Sequence, residues 1–168
     1  MFFVATAPVG AAGHINLSPK GLDALTVLGP REVLYLDCTG SGAETIAHVR
    51  ENGRIVVMFC AFEGPPKIVR LQGHAEVIEP GDERFSELRD HFDPALETRS
   101  LIRIDVNRVS DSCGFGVPRF TAEGPRTQLK AWADQKSEDE LRSYHVEKNA
   151  RSIDGMPALR WVTPEEST

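Results

Sequence analysis

The stretch GRIVVMFCAFEGPPKIVRLQGHAEVI, residues 53–78, decides the fold. Two apolar runs rich in Val, Ile and Phe flank a Glu-Gly-Pro-Pro-Lys turn, through which neither a helix nor a paired strand can continue. The reading is a long antiparallel hairpin. Immediately upstream, GSGAETIAHVRENG places Ser41 three residues before Glu44, the spacing of a capping box, and Gly53 at a natural helix stop, so a short helix feeds the hairpin. Further out lie FFVATA, HINLS and VLYLDC on one side and SLIRIDVNRVS on the other, each a short apolar run bounded by turn residues. Six candidate strands in this rhythm make a mainly β (α+β) chain with a barrel or sandwich count. DERFSELRDHF reads as a helix by its Phe85, Leu88 and Phe92 spacing. RTQLKAWADQKSEDELRSYHVEKNA reads as one longer charged helix with Leu129, Trp132, Leu141 and Tyr144 as its sparse stripe.

The 168 residues, 40% of them hydrophobic, suffice for one domain, expected over 1–168, with a barrel core at 1–110 and a loop and helical extension at 111–168. A formal charge of -6 argues against nucleic-acid binding, which needs a basic stripe. Cys38, Cys60 and Cys113 are widely spaced and form no C-x-x-C pair, which favours a reduced, cytoplasmic setting. The apolar amino terminus lacks a basic flank and breaks at Pro8, so it is expected to be a first strand and not a secretory signal. No segment reaches transmembrane length, and the histidines show no ligand spacing, so neither a membrane span nor a metal site is expected.

Two places carry chemistry. In GHINLSPKGLDAL, the side chains of His14, Asn16, Ser18 and Lys20 fall at every second position, which puts all four on one face of a strand that ends in a Pro-Lys-Gly turn. In LDCTGSGAETIAHV, a Gly-Ser-Gly turn before a helix exposes backbone N–H groups at the positive end of the helix dipole, with Thr39, Ser41 and Thr45 adding hydroxyls. Lys20, at the end of the neighbouring strand, could meet the same anion, and the hairpin adds Lys67 and Arg70. Taken singly, each feature is more commonly a solvated edge strand or an ordinary helix cap. In SDSCGFGVPRF, Phe115 could stack on a ligand, while Cys113 reads as a small buried hydrophobe in a tight turn.

The order SPKG, LYLD, TGSGAETIAHVRENGRI, VMFCAFEGPPKIVRLQGHAEVI resembles the pyridoxamine 5'-phosphate oxidase-like flavoproteins, closely over about residues 1–80 and more loosely at 100–110. The resemblance implies a six-stranded antiparallel split barrel with flanking helices. It further implies a homodimer with FMN in clefts at the subunit interface, and oxidoreductase activity on a small-molecule substrate. Carried over residue by residue, it assigns cofactor contacts to Asn16, Ser18 and Lys20 along the flavin, to Thr39, Ser41 and Thr45 at the phosphate, and to Lys67 and Arg70 beyond the hairpin. Where the vitamin-processing oxidases carry an Arg-Lys pair at the helix start, this chain has Glu44, Thr45 and Ile46, and their carboxy-terminal arginine–histidine motif is not apparent. These departures point away from pyridoxamine phosphate as substrate. They leave a non-catalytic protein binding flavin, deazaflavin or haem as the alternative.

Overall fold

A computed structural model of the chain describes residues 1–162. Their elements run β1 (Phe2–Thr6), β2 (Asn16–Lys20), β3 (Leu25–Gly29), β4 (Glu32–Cys38), α1 (Glu44–Asn52), β5 (Arg54–Cys60), β6 (Ile68–Ile78), α2 (Phe85–Arg89), β7 (Thr98–Ser112), α3 (Gln128–Ala133) and α4 (Glu138–Asn149). The strands form one sheet in the order β2-β1-β5-β6-β7-β4-β3. Every neighbouring pair is antiparallel. The hairpin forms as its sequence predicts, with Met58 opposite Arg70 and Cys60 opposite Ile68. Edge strand β2 comes back toward β4, where Lys20 Nζ stands 3.0 Å from Asp37 Oδ1. Side chains and not a hydrogen-bonded ladder close the sheet there, so the barrel is split between β2 and β4.

Core packing follows from the pattern of VLYLDC, whose unbroken apolar run suits a strand buried on both faces. Val33 and Tyr35 point into a core with Phe2, Val4, Ile46, Val57 and Ile104, while Leu34 and Leu36 point the other way into a second cluster with Ile78, Phe92 and Leu101. The segment after α4 covers the first core with Ala158, Leu159 and Val162, all at most 3% exposed. Arg50 anchors that segment by donating from Nε to the Ala158 carbonyl (2.7 Å).

Four expectations are corrected. The sheet has a seventh strand, β3, because LTVLG pairs with β4 although its Val27 is exposed and it has only five residues. Strand β2 runs through Pro19 and Lys20, and the turn comes later, with Leu22 (φ 61°) and Asp23 (φ 51°) in the left-handed region. A proline inside β2 is tolerated because β2 is an edge strand. Helix α1 starts two residues later than the capping-box spacing suggests: its N-cap is Ala43, without a side-chain hydrogen bond, and Ser41 stays outside. The long carboxy-terminal helix is two helices, since Ser137 breaks the run and caps α4 in a reciprocal box with Glu140. Gly53 ends α1 in the left-handed conformation, as expected.

Gly73 sits at a register shift between β6 and β7, where an added Cβ would stand 2.1 Å from the Asp105 carbonyl oxygen. Backbone cannot yield as a side-chain end can. Gly73→Ala is therefore expected to cost about 1–3 kcal/mol of stability, the range for overpacking. Gly10→Ala, which enters open space, should leave stability nearly unchanged. Urea unfolding of both variants checks the difference.

Candidate functional site

The split between β2 and β4 opens into a cleft of about 300 Å³. Asn16, Ser18 and Lys20 reach it from β2, Thr39, Gly40 and Gly42 from the β4–α1 turn, Glu44 and Thr45 from the first turn of α1, and Arg99 from β7. Strand alternation explains the first three. Their outward neighbours Ile15 and Leu17 are 78% and 65% exposed, so the polar face of β2 looks inward and the apolar face outward.

Hydrogen bonds tie the β2 groups to the barrel. Ser18 Oγ donates to Asn16 Oδ1 (2.8 Å), and Asn16 Nδ2 donates to Thr45 Oγ1 (2.9 Å) and Thr6 Oγ1 (3.2 Å). Thr6 Oγ1 in turn lies 3.0 Å from Nδ1 of the buried His48. Burial pushes the His48 imidazole toward its neutral form.

Beneath this chain lies a carboxylate with no solvent exposure. Asp37 accepts from Lys20 Nζ (3.0 Å), Arg99 Nε (2.8 Å) and Ser100 Oγ (3.2 Å). Burial alone would raise its pKa, but Arg99 and then Lys20 outweigh burial and hold the carboxyl ionised far below the usual carboxylate range. Lys20 also lies over the buried Tyr35 ring, 5.9 Å from its centroid. Cleft charge is thus balanced: Lys20 and Arg99 face Asp37 and Glu44. What the cleft offers a ligand is therefore hydroxyl and amide groups more than net positive charge.

Of the eight residues singled out in the sequence, Asn16, Ser18, Lys20, Thr39 and Thr45 converge on this cleft. Ser41 stands beside it, exposed, its carbonyl 3.5 Å from Asn149 Nδ2. Lys67 and Arg70 lie elsewhere, on the far arm of the hairpin, where Lys67 Nζ pairs with Asp111 (3.0 Å) and Arg70 Nη1 donates to Ser112 Oγ (3.1 Å). Cys113 is exposed and not buried, and Phe115 is 82% exposed. Leu129 of the expected apolar stripe lines the cleft, whereas Trp132 and Tyr144 pack edge to face at 5.0 Å.

Sequence reasoning missed Asp37, Arg99, His145 and Asn149. A charged residue inside an apolar run such as LYLDC, on a strand that must be buried on both faces, signals a buried carboxylate in need of a cation. The run TRSLIRI carries the matching arginine. Among the described residues, no group of three or more His, Cys, Asp or Glu side chains could hold a metal ion. Nor is any helix among them long and apolar enough to cross a membrane.

The sequence model of the family described as pyridoxamine 5'-phosphate oxidase matches residues 1–113. A curated relative, the pyridoxamine 5'-phosphate oxidase family protein ustO of Aspergillus flavus, is 42% identical over 95% of this chain and 70% of its own length. Among solved structures, a HupZ variant from Group A Streptococcus is similar in fold, with a TM-score of 0.51 and 21% identity over 66% of this chain and 88% of that one. With the split barrel, the cleft in its seam and these relatives in view, the chain belongs to the pyridoxamine 5'-phosphate oxidase family.

Proposed function

We propose that the protein is an FMN-dependent oxidoreductase acting on a small molecule, with the flavin phosphate at the β4–α1 turn and the ribityl chain along β2. One observation carries this reading: five residues chosen from the sequence for an anion and a polyhydroxyl chain converge on a single cleft. The donor set fits such a ligand. Thr39, Thr45, Lys20 and the turn backbone suit a phosphate, and Ser18 and Asn16 suit hydroxyl groups. Bound flavin would supply the electron-transfer chemistry, while the protein binds, orients and shields it from water.

A cleft of about 300 Å³ is at the small end for a ligand pocket, so the flavin ring is expected to extend out of the seam. A second copy of the chain would cover it, docking on the outward apolar side of β2 at Ile15 and Leu17. In that arrangement Lys67 and Arg70 would serve the partner's cleft. The missing carboxy-terminal arginine–histidine substrate motif favours a second reading, a flavin-, deazaflavin- or haem-binding protein without turnover.

Three measurements test the proposal. Purified protein should take up FMN and show its visible spectrum, and NADH or NADPH should reduce it. A flavin that binds but is never reduced, with no turnover on a broad substrate panel, would select the second reading. Lys20→Ala should weaken FMN binding by about 1.5–3 kcal/mol, the range for hydrogen bonds to charged groups. Glu44→Gln should tighten it, since one like charge leaves the cleft; fluorescence titration reads both, and an unchanged Kd for Lys20→Ala removes that residue from the site. FMN should also shift sedimentation toward a dimer by mass action, and a flavin-loaded monomer would refute the interface.

A further inference from the structure

Helix α4 lies beyond the residues matched by the family model, which end at 113, yet it is bonded directly to the turn at residues 39–42. Asn149, fully buried, donates from Nδ2 to the carbonyl oxygens of Gly40 (2.8 Å) and Ser41 (3.5 Å). Arg99 Nη1 adds a second donor to the Gly40 oxygen (2.8 Å). His145, 2% exposed, places Nε2 3.0 Å from Thr39 Oγ1 and packs edge-on against Trp161 at 5.3 Å. Three consecutive residues of the turn are therefore fixed from behind by two side chains of one helix.

In a trans peptide the carbonyl and the following N–H point in opposite directions. Drawing the Gly40 and Ser41 oxygens toward Asn149 thus turns the N–H groups of Ser41 and Gly42 away from α4. An imidazole that donates from Nε2 to Thr39 Oγ1 leaves the hydroxyl proton free to donate elsewhere. Burial first, and the Arg99 charge second, push the His145 pKa down to about 4, so the ring is neutral near pH 7. Both residues keep a buried polar atom, His145 Nδ1 and Asn149 Oδ1, with no hydrogen-bond partner among the described residues. Apolar side chains would pack there without that desolvation penalty, so the two polar residues serve the turn more than the fold.

We propose that His145 and Asn149 are positioning residues of the cofactor site, through which α4 holds the β4–α1 turn in the conformation that accepts a phosphate monoester. The inference rests on the flavin reading and adds a selectivity to it. FMN and riboflavin share ring and ribityl chain and differ only in the phosphate, so the turn should matter for one and not the other.

The test is the ratio of riboflavin to FMN Kd, read by flavin fluorescence, with thermal melts of the ligand-free proteins as a fold control. Asn149→Ser and His145→Leu should each weaken FMN by about tenfold or more, the loss of one hydrogen bond supporting a charged group, and leave riboflavin within about twofold. His145→Gln, whose amide nitrogen can take the place of Nε2, should keep the wild-type ratio, and it carries the test with Asn149→Ser should the leucine variant not fold. Equal weakening of both ligands, or no change in either, would overturn the inference while the flavin reading stands. Wild-type protein that binds neither flavin would overturn both.

Discussion

Asp37 is the group on which the remainder of the site depends. A carboxylate without solvent exposure is tenable only when its charge is met. Here Lys20 meets it from β2 and Arg99 from β7, with Ser100 as a third donor. Lys20 fixes the distance between β2 and β4, which share no ladder, and Arg99 adds a side-chain tie across β4 and β7, which do share one. Lys20 holds the edge strand against the barrel seam, and Arg99 continues to the Gly40 carbonyl and accepts Trp161 Nε1 at its own carbonyl oxygen (3.2 Å). Breaking a buried pair from one side typically costs about 3–5 kcal/mol, because a charge is left uncompensated. The seam, the turn and the segment after α4 would loosen together.

The same cluster leaves the cleft without a strong net positive charge. Lys20 and Arg99 are already engaged, and Glu44 sits in the first turn of α1, where an acidic residue is favourable to the helix itself. The proposed phosphate would therefore be met chiefly by oriented hydroxyls and amides, with Lys20 shared between it and Asp37, and such recognition demands a rigid turn more than a high charge. Rigidity is what the buried residues behind the turn supply.

The hairpin, the antiparallel sheet and the inward polar face of β2 were legible because each rests on local chemistry: a Gly-Pro-Pro turn and a two-residue period. Lys20, Thr39 and Thr45 could be grouped from the sequence because turn and dipole arguments are local as well. Strand β3 escaped notice because its five residues, with Val27 exposed, carry too weak a pattern. The break at Ser137 has a local signal of its own, since SEDE carries the same capping-box spacing as Ser41 and Glu44. Asn149 and His145 could not have been found this way. Their role depends on a helix about a hundred residues from the turn it touches, and nothing in a helical stripe announces which loop lies beneath it.

Pro19 has a consequence outside the cleft. It stands in the outermost strand of the sheet, opposite Phe3 of β1, and it removes a backbone donor from an edge that would otherwise invite another chain to add a strand. The apolar side chains of Ile15 and Leu17 flank that blunted edge. Any association on this side of the molecule would thereby be turned from strand addition toward face-to-face contact. A face that meets its own copy across a two-fold axis closes on itself, whereas head-to-tail strand addition can propagate into fibres.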